Sequence, residues 1–96
     1  MKIDFVKNQT TLTISLDGRL DTASAPDFEE FIKSNMQDVT AIELDCKNLT
    51  HVSSAGLRVL LAIQKKLLMS LTLTNVQELV MEIFEITGFV DILTIK

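Results

Sequence analysis

Two adjacent serines, Ser53 and Ser54, stand where the short segment Leu49-Thr50-His51-Val52 runs into an apolar series with helical spacing, Leu57, Leu60 and Ile63. A hydroxyl at the start of a helix can accept a hydrogen bond from an unpaired backbone N–H of the first turn, so either serine suits the N-cap. The same N–H groups, with the positive end of the helix dipole, favour a phosphate on that hydroxyl by about 0.3–1 kcal/mol at an exposed site. The position therefore fits a cap, a phosphorylation switch, or both. The other reactive groups are few: His51, three residues before Ser54, Cys46, and the carboxylates Asp17, Asp21 and Asp45 near strand ends. A histidine activating a serine for hydrolysis also needs an oriented third group and an oxyanion hole, so His51 is expected as a loop residue beside a partner surface. Cys46 is expected as a small buried hydrophobe. There is no glycine-rich phosphate loop, nucleophile elbow or metal-ligand spacing. One cysteine and one histidine supply neither a disulfide nor an all-protein zinc set, and no metal or cofactor is implied. The expectation is a binding protein, not an enzyme.

Composition narrows the partners. The 96 residues with 47% hydrophobic content suffice for one domain, 1–96, around a single core. Nine basic against 13 acidic residues give a net charge of −4, the wrong sign for nucleic-acid binding. No apolar run approaches the roughly 18 residues of a membrane span, and Met1 to Lys7 has no signal-peptide core, so a cytoplasmic protein is expected.

The elements that must carry the serines follow from periodicity. Lys2 to Lys7 and Thr11 to Asp17, separated by Asn8-Gln9-Thr10, predict a hairpin. In the second run Leu12, Ile14 and Leu16 alternate with Thr11, Thr13 and Ser15, which implies one buried and one wet face. Asp17-Gly18-Arg19-Leu20-Asp21 is expected to turn the chain into a helix capped by Thr22 or Ser24, with Pro26 in its first turn and its end near Met36 or Gln37. Phe28, Phe31 and Ile32 form its inner face. A third strand is expected over Ala41 to Cys46.

A second helix, Ser54 to Leu68, is expected to turn Leu57, Leu60, Ile63, Gln64 and Leu67 inward and Arg58, Ala62, Lys65 and Met69 outward. Gly56 in its first turn allows either close packing or access to the serine. Leu71 to Thr74 predicts a fourth strand. The last helix follows Asn75 or Val76, with Leu79, Val80, Ile83 and Phe84 inward, Glu78, Glu82 and Glu85 outward, and Gly88 as its C-cap. Ile92 to Ile95 is expected as a short final strand. Strand–helix–strand units after a hairpin demand parallel strands with right-handed crossovers. The fold class is thus α/β: a five-strand mixed sheet, antiparallel at its N-terminal hairpin and parallel thereafter, with its helices mainly on one face.

The stretch Ser53-Ser54-Ala55-Gly56-Leu57-Arg58-Val59-Leu60-Leu61 after a strand, Gly18-Arg19-Leu20-Asp21-Thr22, and Phe84-Glu85-Ile86-Thr87-Gly88-Phe89 together resemble STAS domains, specifically the bacterial anti-sigma factor antagonists. The resemblance spans nearly the whole chain in order. It implies the same layered fold and a partner-switching mechanism. An anti-sigma factor that is itself a serine kinase, of histidine-kinase-like ATPase fold, binds the unphosphorylated antagonist and frees its sigma factor. The kinase also phosphorylates the antagonist on a serine of this motif, and a serine phosphatase reverses it. Aligning Gly56-Leu57 with the family's glycine-leucine implies Ser54 as acceptor. Many members carry aspartate just before that serine; here the position is Ser53, which stands as the alternative. The resemblance further implies a partner surface of Asp21, Thr22, His51, Ser53, Ser54, Ala55, Gly56 and Arg58, although Asp21 also suits a turn carboxylate capping local backbone. Family members usually have a glycine turn after the second helix; Lys66-Leu67-Leu68-Met69-Ser70 has none, so an unusual helix exit is expected. An adaptor subunit of a transporter or lipid-transport complex would share the fold and is the alternative function.

Overall fold

The computed structural model describes residues 1–66 and 70–96. Its elements in chain order are β1 (Lys2–Asn8), β2 (Thr11–Leu20), α1 (Ala25–Ser34), β3 (Ala41–Val52), α2 (Ser54–Lys66), β4 (Ser70–Thr74), α3 (Glu78–Thr87), a 3-10 turn (Phe89–Asp91) and β5 (Thr94–Ile95). The five strands lie in the order β1-β2-β3-β4-β5. β1 and β2 are antiparallel, and every later pair is parallel. Each crossover steps the same way across the sheet, and a constant hand puts all three helices on one face. Burial agrees. Leu12, Ile14, Leu16, Ile42, Leu44, Cys46, Leu71 and Leu73 are buried in one core with Phe28, Ile32, Leu57, Leu60, Ile63, Val80 and Phe84. The alternate residues Thr13, Glu43 and Thr72 stay at least partly in water.

Two strands are longer than their patterns predict. β2 continues through Gly18-Arg19-Leu20, where a turn was expected, and β3 continues through Leu49 to Val52, so His51 is a strand residue and not a loop residue. The cause lies in the register between them. Ser15 pairs with Asp45 but Asp17 with Asn48, and Gly18 pairs with Leu49 but Arg19 with His51, so β3 accommodates one extra residue at each shift. β2 keeps its period of two, with Leu16 and Leu20 buried, while the core-facing residues of β3 fall at Cys46, Leu49 and Val52, every third position. Spacing of that kind carries no strand signal.

Smaller departures have local reasons. α1 ends at Ser34, with Asn35 as its C-cap, before the expected Met36. Gly88 closes α3 at φ 79, the left-handed value that glycine takes without strain, as expected. Ile92 caps the 3-10 turn and stands outside β5, which begins only at Thr94. Leu79 was expected inward but is 66% exposed: α3 rests on Val80 and Phe84, and Leu79 lies beside that contact. Val59 joins the core and Ala62 is half-buried, because α2 packs against α1 as well as the sheet. The expected inward Leu67, outward Met69 and unusual helix exit lie outside the described residues.

Candidate functional site

The extended ends of β2 and β3 carry the chain to two neighbouring corners. After Leu20 the chain enters α1 through Asp21 and Thr22; after Val52 it enters α2 through Ser53 and Ser54. The Ser53 N–H donates to the Leu20 carbonyl at 2.9 Å, which joins the corners. Six expected surface residues, Asp21, Thr22, Ser53, Ser54, Ala55 and Gly56, thus come from two adjacent strand ends. His51 is half-buried in the β3 extension opposite Arg19. Arg58 is exposed one helical turn beyond Ser54.

The two serines differ. The Leu57 N–H donates to the Ser53 carbonyl at 2.9 Å, so Ser53 occupies the N-cap position of α2. Its Oγ is buried with no hydrogen-bond partner among the described residues, and so does not cap the helix. Ser54, the first helical residue, is exposed. Gly56 explains why the turn sits so close. It is buried, and a Cβ there would lie 2.6 Å from the Leu20 carbonyl oxygen, 2.8 Å from Leu20 Cγ and 3.0 Å from Val52 Cγ1. Only a residue without a side chain lets α2 approach β2 this closely. Between the two roles left open for Gly56, the geometry is that of close packing, and the packing holds Ser54 on the surface.

Two roles stand open for Asp21, a partner contact and a turn carboxylate. Its Oδ1 accepts from the backbone N–H groups of Ala23 at 3.0 Å and Ser24 at 3.1 Å, the contacts of a turn carboxylate. Ser24 Oγ donates to the Arg19 carbonyl at 2.6 Å and accepts from the Asp21 N–H at 3.0 Å. The Ser24 N–H, more than the nearby Arg19 guanidinium, holds the Asp21 carboxyl below its ordinary value. Oδ2 lies 3.7 Å from Arg19 Nε, with the Asp21 side chain 33% and the Arg19 side chain 65% exposed. The Asp21-Thr22-Ala23-Ser24 spacing is a signal of such a turn that periodicity alone does not read. Beside it, an open cleft of about 590 Å³ is lined by Met1, Lys2, Asp17, Arg19, Asp21 and Asp27 among others.

A further contact escaped the sequence. Asp45 Oδ1 accepts from the Lys47 N–H at 3.0 Å and from Asn75 Nδ2 at 3.1 Å, while Gln77 Nε2 donates to the Lys47 carbonyl at 2.6 Å. These bonds pin the first register shift of β3 to the segment that leads into α3. Cys46 is buried, and burial first, with the Asp45 charge second, pushes its thiol up to about 12, which leaves no thiolate for nucleophilic work near neutral pH. Among the described residues no group of His, Cys, Asp or Glu could hold a metal ion, and no helix is long and apolar enough to cross a membrane.

The sequence and the fold have counterparts. The anti-sigma-B factor antagonist of Bacillus subtilis is 28% identical over 99 residues, covering 100% of this chain and 91% of its own length. BtrV of Bordetella bronchiseptica, whose name assigns it provisionally to the anti-sigma factor antagonists, is 33% identical over 96 residues, covering 96% of this chain and 83% of its own. The crystal structure of an anti-sigma factor antagonist from Mycobacterium paratuberculosis superposes with a TM-score of 0.85 at 18% identity, over 98% of this chain and 83% of that one. Residues 2–96 match the STAS domain, and the chain belongs to that family.

Proposed function

We propose that this protein is an anti-sigma factor antagonist in which residues 1–96 act as one cytoplasmic STAS domain, a binding protein and not an enzyme. In its unphosphorylated form it docks Asp21, Thr22, His51, Ser53, Ser54, Ala55 and Arg58 on an anti-sigma factor serine kinase of histidine-kinase-like ATPase fold, which then frees its sigma factor. Gly56 contributes by packing, and neither nucleic acid nor membrane takes part. The kinase moves the γ-phosphoryl group of ATP to Ser54: the bond to ADP breaks, the Oγ–P bond forms, and the hydroxyl proton leaves. A serine phosphatase restores the hydroxyl.

One observation carries the choice of residue: Ser54 is exposed on the first turn of α2, whereas the Ser53 hydroxyl is buried. The added phosphate brings about −1.5 to −2 charge into an interface shaped for a neutral hydroxyl, where desolvation and nearby acids oppose it. Full release needs about 5.5 kcal/mol of differential affinity. The N–H groups of the α2 terminus favour the phosphate locally, so the domain stays folded.

The experiment incubates the protein with its cognate kinase and ATP and maps the product by mass spectrometry. One phosphate is expected on Ser54. Ser54→Ala should abolish it and still bind the kinase, Ser54→Asp should bind weakly, and Ser53→Ala should remain a substrate. Phosphate on Ser53 would refute the assignment; none on either serine with an active kinase would favour an unphosphorylated adaptor of a transporter or lipid-transport complex.

A further inference from the structure

Helix α3 leaves large apolar side chains in solvent while burying others. Val80 and Phe84 are fully buried, but Leu79 is 66% and Ile86 86% exposed. Positions 79, 83 and 86 recur at i, i+4 and i+7, so Leu79, half-buried Ile83 and Ile86 form one stripe along the helix, beside its packed face. Glu78, Glu82 and Glu85, all exposed, recur at the same spacing and border the stripe on its outer side. Val90 and Ile92 are also exposed just beyond the helix, with Asp91 between them. No lysine or arginine occurs between residues 76 and 95, and the acids there, Glu78, Glu82, Glu85 and Asp91, match the net charge of −4 of the entire chain. The rest of the chain is balanced, so the charge of the molecule is concentrated beside its exposed apolar stripe.

That combination selects an occupant. A second copy would bring the same acids against these, and an anionic lipid surface would be repelled. A helix with an apolar ridge flanked by lysine or arginine complements both features. We infer that α3 is a docking face for a cationic amphipathic helix of a partner protein, with Leu79, Ile83 and Ile86 against its ridge and Glu78, Glu82 and Glu85 facing its basic border. The face contains none of the residues proposed for the kinase surface, so it provides a contact that phosphorylation of Ser54 leaves in place.

The test selects helical peptides of about 20 residues from a displayed random library on the intact protein, then titrates the enriched peptides against variants. Enriched sequences should carry apolar residues at i, i+4 and i+7 with lysine or arginine alongside. Their affinity should fall by about tenfold or more in Leu79→Ser/Ile86→Ser and again in Glu82→Lys/Glu85→Lys, and it should weaken with added salt in the wild type. Leu79, Ile86, Glu82 and Glu85 are all exposed, so both variants should keep the wild-type melting profile. Ser54→Asp should bind the peptides as the wild type does, whether or not the kinase switch exists. Failure to enrich helical binders, acidic binders, or binders indifferent to both double variants would overturn the inference. So would loss of binding in Ser54→Asp. Dimerisation in sedimentation velocity, or flotation with vesicles of phosphatidylglycerol, that depends on Leu79 and Ile86 would assign the face to a second copy or to lipid and overturn it equally.

Discussion

The two corners at the ends of β2 and β3 both lead from a strand into a helix, yet they are held by different forces. The entry to α1 is stitched by polar contacts: Asp21 Oδ1 accepts two backbone N–H bonds, and Ser24 Oγ bridges the Arg19 carbonyl and the Asp21 N–H. The entry to α2 is held by packing, with Gly56 pressed on Leu20 and Val52 and one backbone bond from Ser53 to Leu20. Polar stitching consumes the groups that make it. Packing around a glycine leaves an adjacent hydroxyl uncommitted, and Ser54 is therefore free for chemistry while its backbone is fixed. A rigid frame with an unengaged reactive group is what a phosphorylation switch requires.

Breaking the packed corner should have the largest effect. Gly56→Ala gains up to about 1 kcal/mol of helix propensity. Its Cβ, however, meets a backbone oxygen at 2.6 Å, which cannot rotate away, and overpacking of this kind costs about 1–3 kcal/mol. The clash should win, lowering the urea midpoint and slowing phosphorylation of Ser54. A variant of unchanged stability and unchanged phosphorylation would show that packing does not position the serine.

Breaking the stitched corner should cost less, and its signature is pH. The Asp21 carboxyl lies below its ordinary value of 3.8 in the folded protein because the charged form accepts the Ser24 N–H. Its contribution is therefore present above about pH 3.8 and is lost as pH falls through the lower folded value. Asp21→Ala should lower the denaturation midpoint at neutral pH, and Asp21→Asn, which keeps an acceptor oxygen, should recover most of the loss. Both should flatten the fall in stability below about pH 3.8. An Asp21→Ala midpoint equal to wild type would mean that the Oδ1 bonds contribute nothing to the fold.

The smallest effect sharpens the comparison. A serine that caps a helix loses about 1 kcal/mol on truncation to alanine. Ser53 Oγ makes no such bond and is buried, so Ser53→Ala should be neutral or stabilise by up to roughly 1 kcal/mol through removal of an unsatisfied hydroxyl. A clear loss of stability would place a hydrogen bond on Ser53 and make the two corners alike.

Local pattern was enough for much of this molecule. The period of two in Thr11 to Asp17 and Leu71 to Thr74, the helical spacing of Phe28 and Ile32, and Gly88 as a cap are short-range signals, and each was legible because neighbouring residues alone produce it. The succession of these elements also determined the parallel order and the single helical face. Tertiary structure decided what depends on distant partners. The two shifts between β2 and β3 turned a segment without alternation into strand and moved His51 out of a loop, because β3 takes its register from Arg19 and Leu20. Two adjacent serines are equivalent as local chemistry; the approach of α2 to Leu20, through Gly56, buries one hydroxyl and exposes the other. Leu79 follows the same rule: helical period places it near the apolar arc, but the line along which α3 meets the sheet passes through Val80 and Phe84 and leaves it in water.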